Sequence, residues 1–438
     1  MMIFRHYDIR GIAGETLTPD IMRDIGRAFG SMVPGSLVVG RDIRLSSETL
    51  QRALITGLRE SGCDILDIGL VTTPMLYFGI LHLQAEGGLM VTASHNPAEY
   101  NGVKLCKGLI PFYGADIQAL RQRIDSKEFV DGKGQYATAD LKGAYLQHLL
   151  SKMSLKTSFK IVIDTGNGSA GLVASDFFRD LKCDVISLFG TPDGHFPHHH
   201  PDPTVPENLT ALIKTVKEER AALGLAFDGD GDRLGVVDGK GRIIPGDQLL
   251  MVFSRSLLRP GDSLVFDVKC SQALEQEISR LQGTPLMWKT GHPHIKEKMR
   301  EEQAVIGGEL SGHLIFQENH YWDDALFAAG KLLMCLEKEQ TTLAHLIDQL
   351  PRYSASPEVR IPCAEKKKFA VVEEIKEAFA TRPHMAIDGI RIRFPDGWAL
   401  VRASNTEPAL IMRFEAATEE ALQGIRDEVE TEVLKRAA

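Results

Sequence analysis

The sequence predicts an α/β protein of three related domains, each with a mixed sheet between helices, followed by a C-terminal α+β domain. Three observations predict it. At 438 residues the chain is too long for a single hydrophobic core. Three stretches share one grammar, in which a short apolar run meets a polar or Gly-rich turn and then an amphipathic helix. The last part of the chain breaks that pattern with a hairpin between two helices.

The three stretches are "SLVVGRDIRLSSETLQRALITGL" from Ser36, "FKIVIDTGNGSAGLVASDFFRDL" from Phe159 and "DSLVFDVKCSQALEQEISRL" from Asp262. Their starts lie 123 and 103 residues apart, which is domain spacing rather than the spacing of a solenoid. Composition marks the boundaries. The polar "LLSKMSLKTSF" after the helix "AYLQHLL" closes a first domain at 1–152. Pro260 and Gly261 in "FSRSLLRPGDS" break a helix near the end of a second, 153–254. "PRYSASPEVRIPCAEKKKF" separates a third, 255–358, from a fourth, 359–438. That fourth domain reads as a helix ("KKFAVVEEIKEAF"), then "GIRIRFPDGWALVRAS" and "ALIMRFEA", then a terminal helix. Pro395-Asp396-Gly397 between alternating runs is the hairpin signal.

Apolar residues make up 43% of the chain and charged ones 25%, the balance of an ordinary soluble globular protein. A net charge of −9 argues against a nucleic-acid-binding surface, although a local basic cluster would still serve a small anion. The six cysteines (Cys63, Cys106, Cys183, Cys270, Cys335, Cys363) are scattered without a CxxC pair, as buried thiols in a reducing compartment are. "MMIFRHYDIRG" turns charged after four residues, so it does not read as a signal peptide. No apolar run is long enough to span a membrane. The expectation is a cytoplasmic protein.

Five loops draw attention. In "AFDGDGDRLGVVD" the run "LGLAF" delivers Asp228, Asp230 and Asp232 in alternation with glycines. Three carboxylates this close repel one another unless a cation sits among them, and hard oxygen ligands suit Mg²⁺. A solvated acidic turn is the bland alternative. An EF-hand fails, because Arg233 and Gly239 stand at its required glycine and glutamate positions. In "VTASHNPAEYNGVKL" an apolar strand runs into Ser94 and His95, with Lys104 further on. There is no Ser-His-Asp context and no GxSxG elbow, so a phosphoryl group on or near an exposed loop serine fits best beside a magnesium loop. His95 would then donate to a phosphate oxygen, and Lys104 would be a nearby cation or proton shuttle. "GGELSGH" displays Glu309, Ser311 and His313, a set that suits paired sugar hydroxyls. "RASNTEPAL" gathers donors from Arg402, Ser404, Asn405 and Thr406 around a turn, which suits a phosphate. In "HFPHHHPDPTVPENL", His198, His199 and His200 are adjacent, poor spacing for chelating one ion, and four prolines make a rigid loop.

Together these loops resemble the α-D-phosphohexomutases, bacterial phosphomannomutase/phosphoglucomutase branch. The likeness runs from "YDIRG" through "TASHNP", "DGDGDR", "KTGH" and "GELSGH" to "RASNTEP". It implies four domains around a central cleft. Ser94 matches the serine that carries the transferable phosphoryl group and shares a Mg²⁺ with Asp228, Asp230 and Asp232. Glu309 and Ser311 match sugar-hydroxyl contacts, and Arg402, Ser404, Asn405 and Thr406 the site of the non-reacting phosphate. Arg10, Arg41 and Arg233 are further cations near the centre, and Lys289 and His313 further substrate contacts. Lys104 and His292 are the candidates for moving the proton of the attacking hydroxyl.

The activity implied is interconversion of hexose 1-phosphate and hexose 6-phosphate through a bound hexose 1,6-bisphosphate, with glucose 1,6-bisphosphate as activator. Leu310 stands where that branch usually has methionine and the amino-sugar branch glutamine, which favours mannose or glucose over glucosamine phosphate. A phosphoglucosamine mutase is the alternative within the family. A Mg²⁺-dependent phosphatase with an aspartate nucleophile expects Thr or Val where Asp232 stands, and it leaves "TASHNP" and "RASNTEP" unexplained. A non-enzymatic sugar-phosphate binder would not need a full set of reactive loops. The partners expected are small hexose phosphates, with neither nucleic acid nor membrane, on a monomer or homodimer.

Overall fold

A computed structural model of the protein describes residues 3–404 and 408–437, so Asn405 and Thr406 lie outside the described residues. The chain divides into two compact units, 1–246 with 311–347, and 247–310 with 348–438.

In the first unit, one sheet has the strand order Ile9–Ile12, Tyr100–Lys107, Gly87–Val91, Ser36–Arg41, Asp64–Leu70, Tyr136–Thr138. The pairs from Gly87–Val91 outward to Tyr136–Thr138 are parallel. Tyr100–Lys107 runs antiparallel to both neighbours, which makes the sheet mixed as expected. Strand Gly87–Val91, an unbroken GGLMV, is buried along its whole length, the signature of a central strand covered on both faces. Its carboxyl end delivers the Ser94 loop, where open α/β sheets place their ligand sites.

Helix Pro19–Met32 begins with Thr18 accepting a hydrogen bond from the Ile21 N–H and with proline in its first turn. It crosses helix Ser47–Glu60 backbone to backbone. A Cβ on Gly57 would stand 2.0 Å from the Arg23 carbonyl oxygen, and one on Gly26 would stand 2.4 Å from that of Leu54. Gly57→Ala is therefore expected to cost about 1–3 kcal/mol by overpacking. Thermal unfolding checks it, and an unchanged midpoint would show that the helices do not meet at these glycines.

The second sheet orders Ile243–Ile244, Leu234–Asp238, Leu223–Phe227, Lys160–Asp164, Asp184–Leu188. Its last three strands are parallel and its first two join antiparallel. Val162, Leu212, Val216 and Val237 share a core on one side. The aspartate loop is the tight connection between Leu223–Phe227 and Leu234–Asp238. Residues 311–347 complete this unit with the antiparallel pair Leu314–Phe316 and Trp322–Asp323 and helix Ala325–Glu339, capped by Asp324 on the Phe327 N–H.

In the second unit, Thr284–Trp288, Ser263–Asp267 and Ile306–Gly308 are parallel, with helices Gln272–Arg280 and His292–Glu301 between them in sequence. The other sheet is antiparallel, in the order Ser354–Ala355, Ala409–Ala416, Gly397–Ala403, Ile390–Phe394, His384–Met385, with Val359–Pro362 also on Ala409–Ala416. The predicted hairpin closes where Phe394 pairs with Gly397. Helices Lys368–Ala378 and Glu419–Ala437 bury Ile375 and Val429 against Leu410 and Phe414. All six cysteines are free and buried. Among the described residues no helix is long and apolar enough to cross a membrane.

Candidate active site

Ser94 follows the end of strand Gly87–Val91 by three residues, but it is not the exposed loop serine expected, being only 1% exposed. The cause is the contact between its loop and the aspartate loop. A Cβ on Gly229 would stand 2.3 Å from the Ser94 carbonyl oxygen, so glycine there lets the two backbones touch. Ser94 holds a left-handed φ of 50°, uncommon for a residue with a Cβ. Its Oγ donates to Asp228 Oδ2 at 2.6 Å, and His95 Nδ1 lies 3.1 Å from Ser94 Oγ. Burial, then the charges of Arg233 and Arg10, hold His95 well below the usual imidazole range.

Asp228, Asp230 and Asp232 are fully buried, and one ligand oxygen from each falls within 4.8 Å of the others. Asp228 Oδ1 accepts the backbone N–H groups of Asp232 and Arg233, at 3.0 and 3.1 Å. Asp230 Oδ2 accepts from Thr73 Oγ1 at 2.6 Å and from Lys104 Nζ at 2.7 Å, and Lys104 also donates to Asp232. Burial, reinforced by Asp232 and Asp230, raises the Asp228 carboxyl well above its ordinary range. Burial would raise Asp230 too, but the Lys104 ammonium together with hydrogen bonds from Lys104, Thr73 and Asp228 lowers the carboxyl. Burial alone would lower Lys104, yet Asp230, Asp232 and Asp228 together raise it. Lys104 and Arg233 set two positive charges against three carboxylates, and the Oδ1 atoms of Asp230 and Asp232 are buried with no hydrogen-bond partner. This all-oxygen donor set with excess negative charge fits a hard divalent cation.

Arg10 donates to Asp8 Oδ2 at 2.6 Å, to the Ala93 carbonyl at 3.2 Å and to Asn96 Oδ1, which ties it to the Ser94 loop. Arg41, at the end of its strand, faces Glu48 at 3.9 Å. The arginine that grips the loop is Arg44, which the sequence reading passed over. Arg233 Nε donates to His313 Nε2 at 2.9 Å, and His313 Nδ1 sits 3.1 Å from Asp323 Oδ2. Ser311, half-buried, heads the segment that carries His313. Thr73 and Asp323 also escaped the sequence reading. "TTP" around Thr73 reads only as a helix start.

In the second unit, Glu309 is buried and accepts the Gly291 N–H at 2.6 Å. Arg402 Nε donates to Asp388 Oδ2 at 3.0 Å, and the Thr290 N–H reaches the same oxygen at 3.1 Å. The Ser404 carbonyl accepts from Lys368 Nζ at 2.6 Å. His292 opens helix His292–Glu301 half-buried, and Lys289 before it is exposed. Lys269, not singled out from the sequence, is buried with Glu358 at 3.1 Å and feels the charges of Glu309 and Arg402. In the first unit, His199 Nε2 lies 3.1 Å from both Asp164 oxygens and His198 Nδ1 2.7 Å from Asn167, so this histidine loop braces a strand end.

Four family models match in succession, described as phosphoglucomutase/phosphomannomutase alpha/beta/alpha domains I, II and III at residues 1–131, 143–241 and 245–353, and its C-terminal domain at 358–432. The chain belongs to the phosphoglucomutase/phosphomannomutase family. The expectation of three α/β domains and a different C-terminal one is the architecture of that family. A relative named phosphomannomutase/phosphoglucomutase, from Pseudomonas aeruginosa, is 44% identical over 97% of this chain and 94% of its own. A phosphoglucomutase of Neisseria gonorrhoeae is 41% identical over 97% and 95%. The crystal structure of a phosphoglucomutase/phosphomannomutase family protein from Burkholderia thailandensis superposes with a TM-score of 0.94 at 39% identity, covering 99% of this chain and 97% of that one.

Proposed function

We propose that the protein is a phosphohexomutase that interconverts hexose 1-phosphate and hexose 6-phosphate, with mannose and glucose as its sugars. The observation that carries the reading is the Ser94 hydroxyl, buried and 2.6 Å from the first of three clustered aspartates. In the forward step the bond between phosphorus and Ser94 Oγ breaks as the sugar hydroxyl oxygen bonds to phosphorus, and the hydroxyl proton leaves to a base. The bound hexose 1,6-bisphosphate then turns over and returns its other phosphoryl group to Ser94. Mg²⁺ held by Asp228, Asp230 and Asp232 would supply charge withdrawal at the transferring phosphoryl group.

Lys104, already donating to Asp230 and Asp232, serves as a fixed cation. His313, whose Nε2 accepts from the Arg233 guanidinium, would fix that arginine as a further cation beside the substrate. His292, at a helix N-terminus, suits a phosphate. Glu309 and Ser311 would read the C3 and C4 hydroxyls, which glucose and mannose share. Leu310 fits the neutral sugars, and the relatives' names span both. Six free, buried thiols suit the cytoplasm.

Arg402 would bind the phosphate that is not reacting. Arg402→Ala removes a charge-assisted contact worth about 1.5–3 kcal/mol, so KM for either monophosphate is expected to rise roughly 10- to 100-fold. An unchanged KM would take the phosphate site away from Arg402. The reading as a whole is tested by ³¹P NMR with Mg²⁺ and a trace of glucose 1,6-bisphosphate. Mannose, glucose and glucosamine 1-phosphates are supplied in separate tubes. Appearance of a 6-phosphate supports a mutase, and the relative rates name the sugar. Release of inorganic phosphate instead would replace it with a phosphatase.

A further inference from the structure

We infer that the buried Asp42–Arg44 pair, acting with Thr92, is the positioning device that holds Ser94 in its left-handed backbone and so selects this hydroxyl for phosphorylation. The Arg44 side chain is wholly buried. Its Nη1 donates to the carbonyls of Pro97 at 2.6 Å and Tyr100 at 3.0 Å, and its Nη2 to those of Ser94 at 2.7 Å and Asn96 at 2.5 Å. One guanidinium thus gathers four carbonyls of the loop. Its Nε lies 3.2 Å from Asp42 Oδ2, which also accepts from Thr92 Oγ1 at 2.7 Å. Thr92 Oγ1 in turn accepts the Ser94 N–H at 2.8 Å. Both the N–H and the C=O of Ser94 are therefore anchored to one ion pair.

Asp42 Oδ1 is itself fixed by the Arg44 N–H at 3.0 Å and by Ser47 Oγ. The Phe196 ring lies 5.3 Å from the guanidinium carbon, and Gly194 packs so closely that a Cβ there would stand 2.6 Å from the Ile43 carbonyl oxygen. Only arginine suits this position, because its donors are spread over a planar fork, whereas lysine offers three from a single point. Neither Asp42 nor Arg44 makes a hydrogen bond to Ser94 Oγ, so their effect passes through the backbone of the loop.

The inference rests on the phosphoserine reading, and the test separates the two. Arg44→Lys and Thr92→Val are treated with glucose 1,6-bisphosphate, and phosphate on Ser94 is followed by intact-mass spectrometry alongside steady-state kcat and KM. Misplacing the hydroxyl by about 1 Å should slow phosphorylation and lower kcat roughly 10- to 100-fold, with KM for the monophosphate little changed. Wild-type phosphorylation rates in folded Arg44→Lys would overturn the inference, as would kcat falling only in step with the folded fraction. If Arg44→Lys does not fold, Thr92→Val decides alone, and an unchanged phosphorylation rate overturns it. A wild-type protein that is phosphorylated on Ser94 yet converts no hexose 1-phosphate would end the mutase reading while leaving this one standing. A wild type not phosphorylated there would end both.

Discussion

Ser94→Ala should lower turnover by about four orders of magnitude or more, because on the proposed mechanism its Oγ carries the phosphoryl group between the two half-reactions. The loss should appear in kcat with every hexose phosphate, and adding bisphosphate should not restore it. A stability cost accompanies it. Ser94 Oγ donates to buried Asp228 Oδ2, so its removal leaves that oxygen short of a donor, a penalty of about 1–3 kcal/mol. Alanine also keeps a Cβ at a φ of 50°. Ser94→Gly relieves that backbone conflict and should be equally inactive, which separates lost chemistry from lost fold. ³¹P NMR gives the rate and urea unfolding the stability. Normal turnover in either variant would end the phosphoserine mechanism.

Removing divalent cations with a chelator should abolish turnover, and Mg²⁺ should restore it. The electrostatics predict a second, activity-free signature. Lys104 and Arg233 offer two positive charges against Asp228, Asp230 and Asp232, so a cation that enters relieves repulsion present only in the folded chain. By linkage, Mg²⁺ at about a hundred times its Kd should add about 2.7 kcal/mol of stability and raise the unfolding midpoint. Within the triad, Asp230 and Asp232 each have a buried oxygen without a hydrogen-bond partner, and Asp230→Asn, which deletes one of these carboxylates, should erase most of that shift. A midpoint indifferent to Mg²⁺ in the wild type, or equally responsive in Asp230→Asn, would move the cation elsewhere.

Much of the site could be read from the chain because its chemistry is local. Alternating Asp and Gly after an apolar run places three carboxylates on one tight turn, and an apolar run ending at a serine places that serine at the carboxyl end of a strand. What stayed hidden depends on distance along the chain. Arg44 and Arg41 look alike in "GRDIR", yet Arg44 alone meets four carbonyls from residues 94–100. Nothing local distinguishes the two. The burial of Ser94 comes from Gly229, more than a domain away in sequence. Asp323 reads as an ordinary acid in "YWDDAL" until the fold brings it to His313. Lys269 and Lys289 differ in the same way, one buried among charges and one exposed. In the antiparallel sheet, Ile390–Phe394, Gly397–Ala403 and Ala409–Ala416 were legible because a hairpin turn and period-two patterning sit side by side, whereas two-residue strands such as His384–Met385 and Trp322–Asp323 carry no such pattern.

The first unit is interrupted in the chain, taking residues 1–246 and then 311–347. The contacts at stake are Arg233 with His313, the Leu234 N–H with the Gly312 carbonyl, and the Ala325 N–H with the Gly231 carbonyl. All three join the aspartate loop or its strand to the later segment. During synthesis, the ribosome must add the whole of 247–310 before these partners exist. A nascent chain ending at residue 246 thus holds Ser94 and all three aspartates without these partners, and the surroundings of the aspartate loop are completed only after residue 325 has been added.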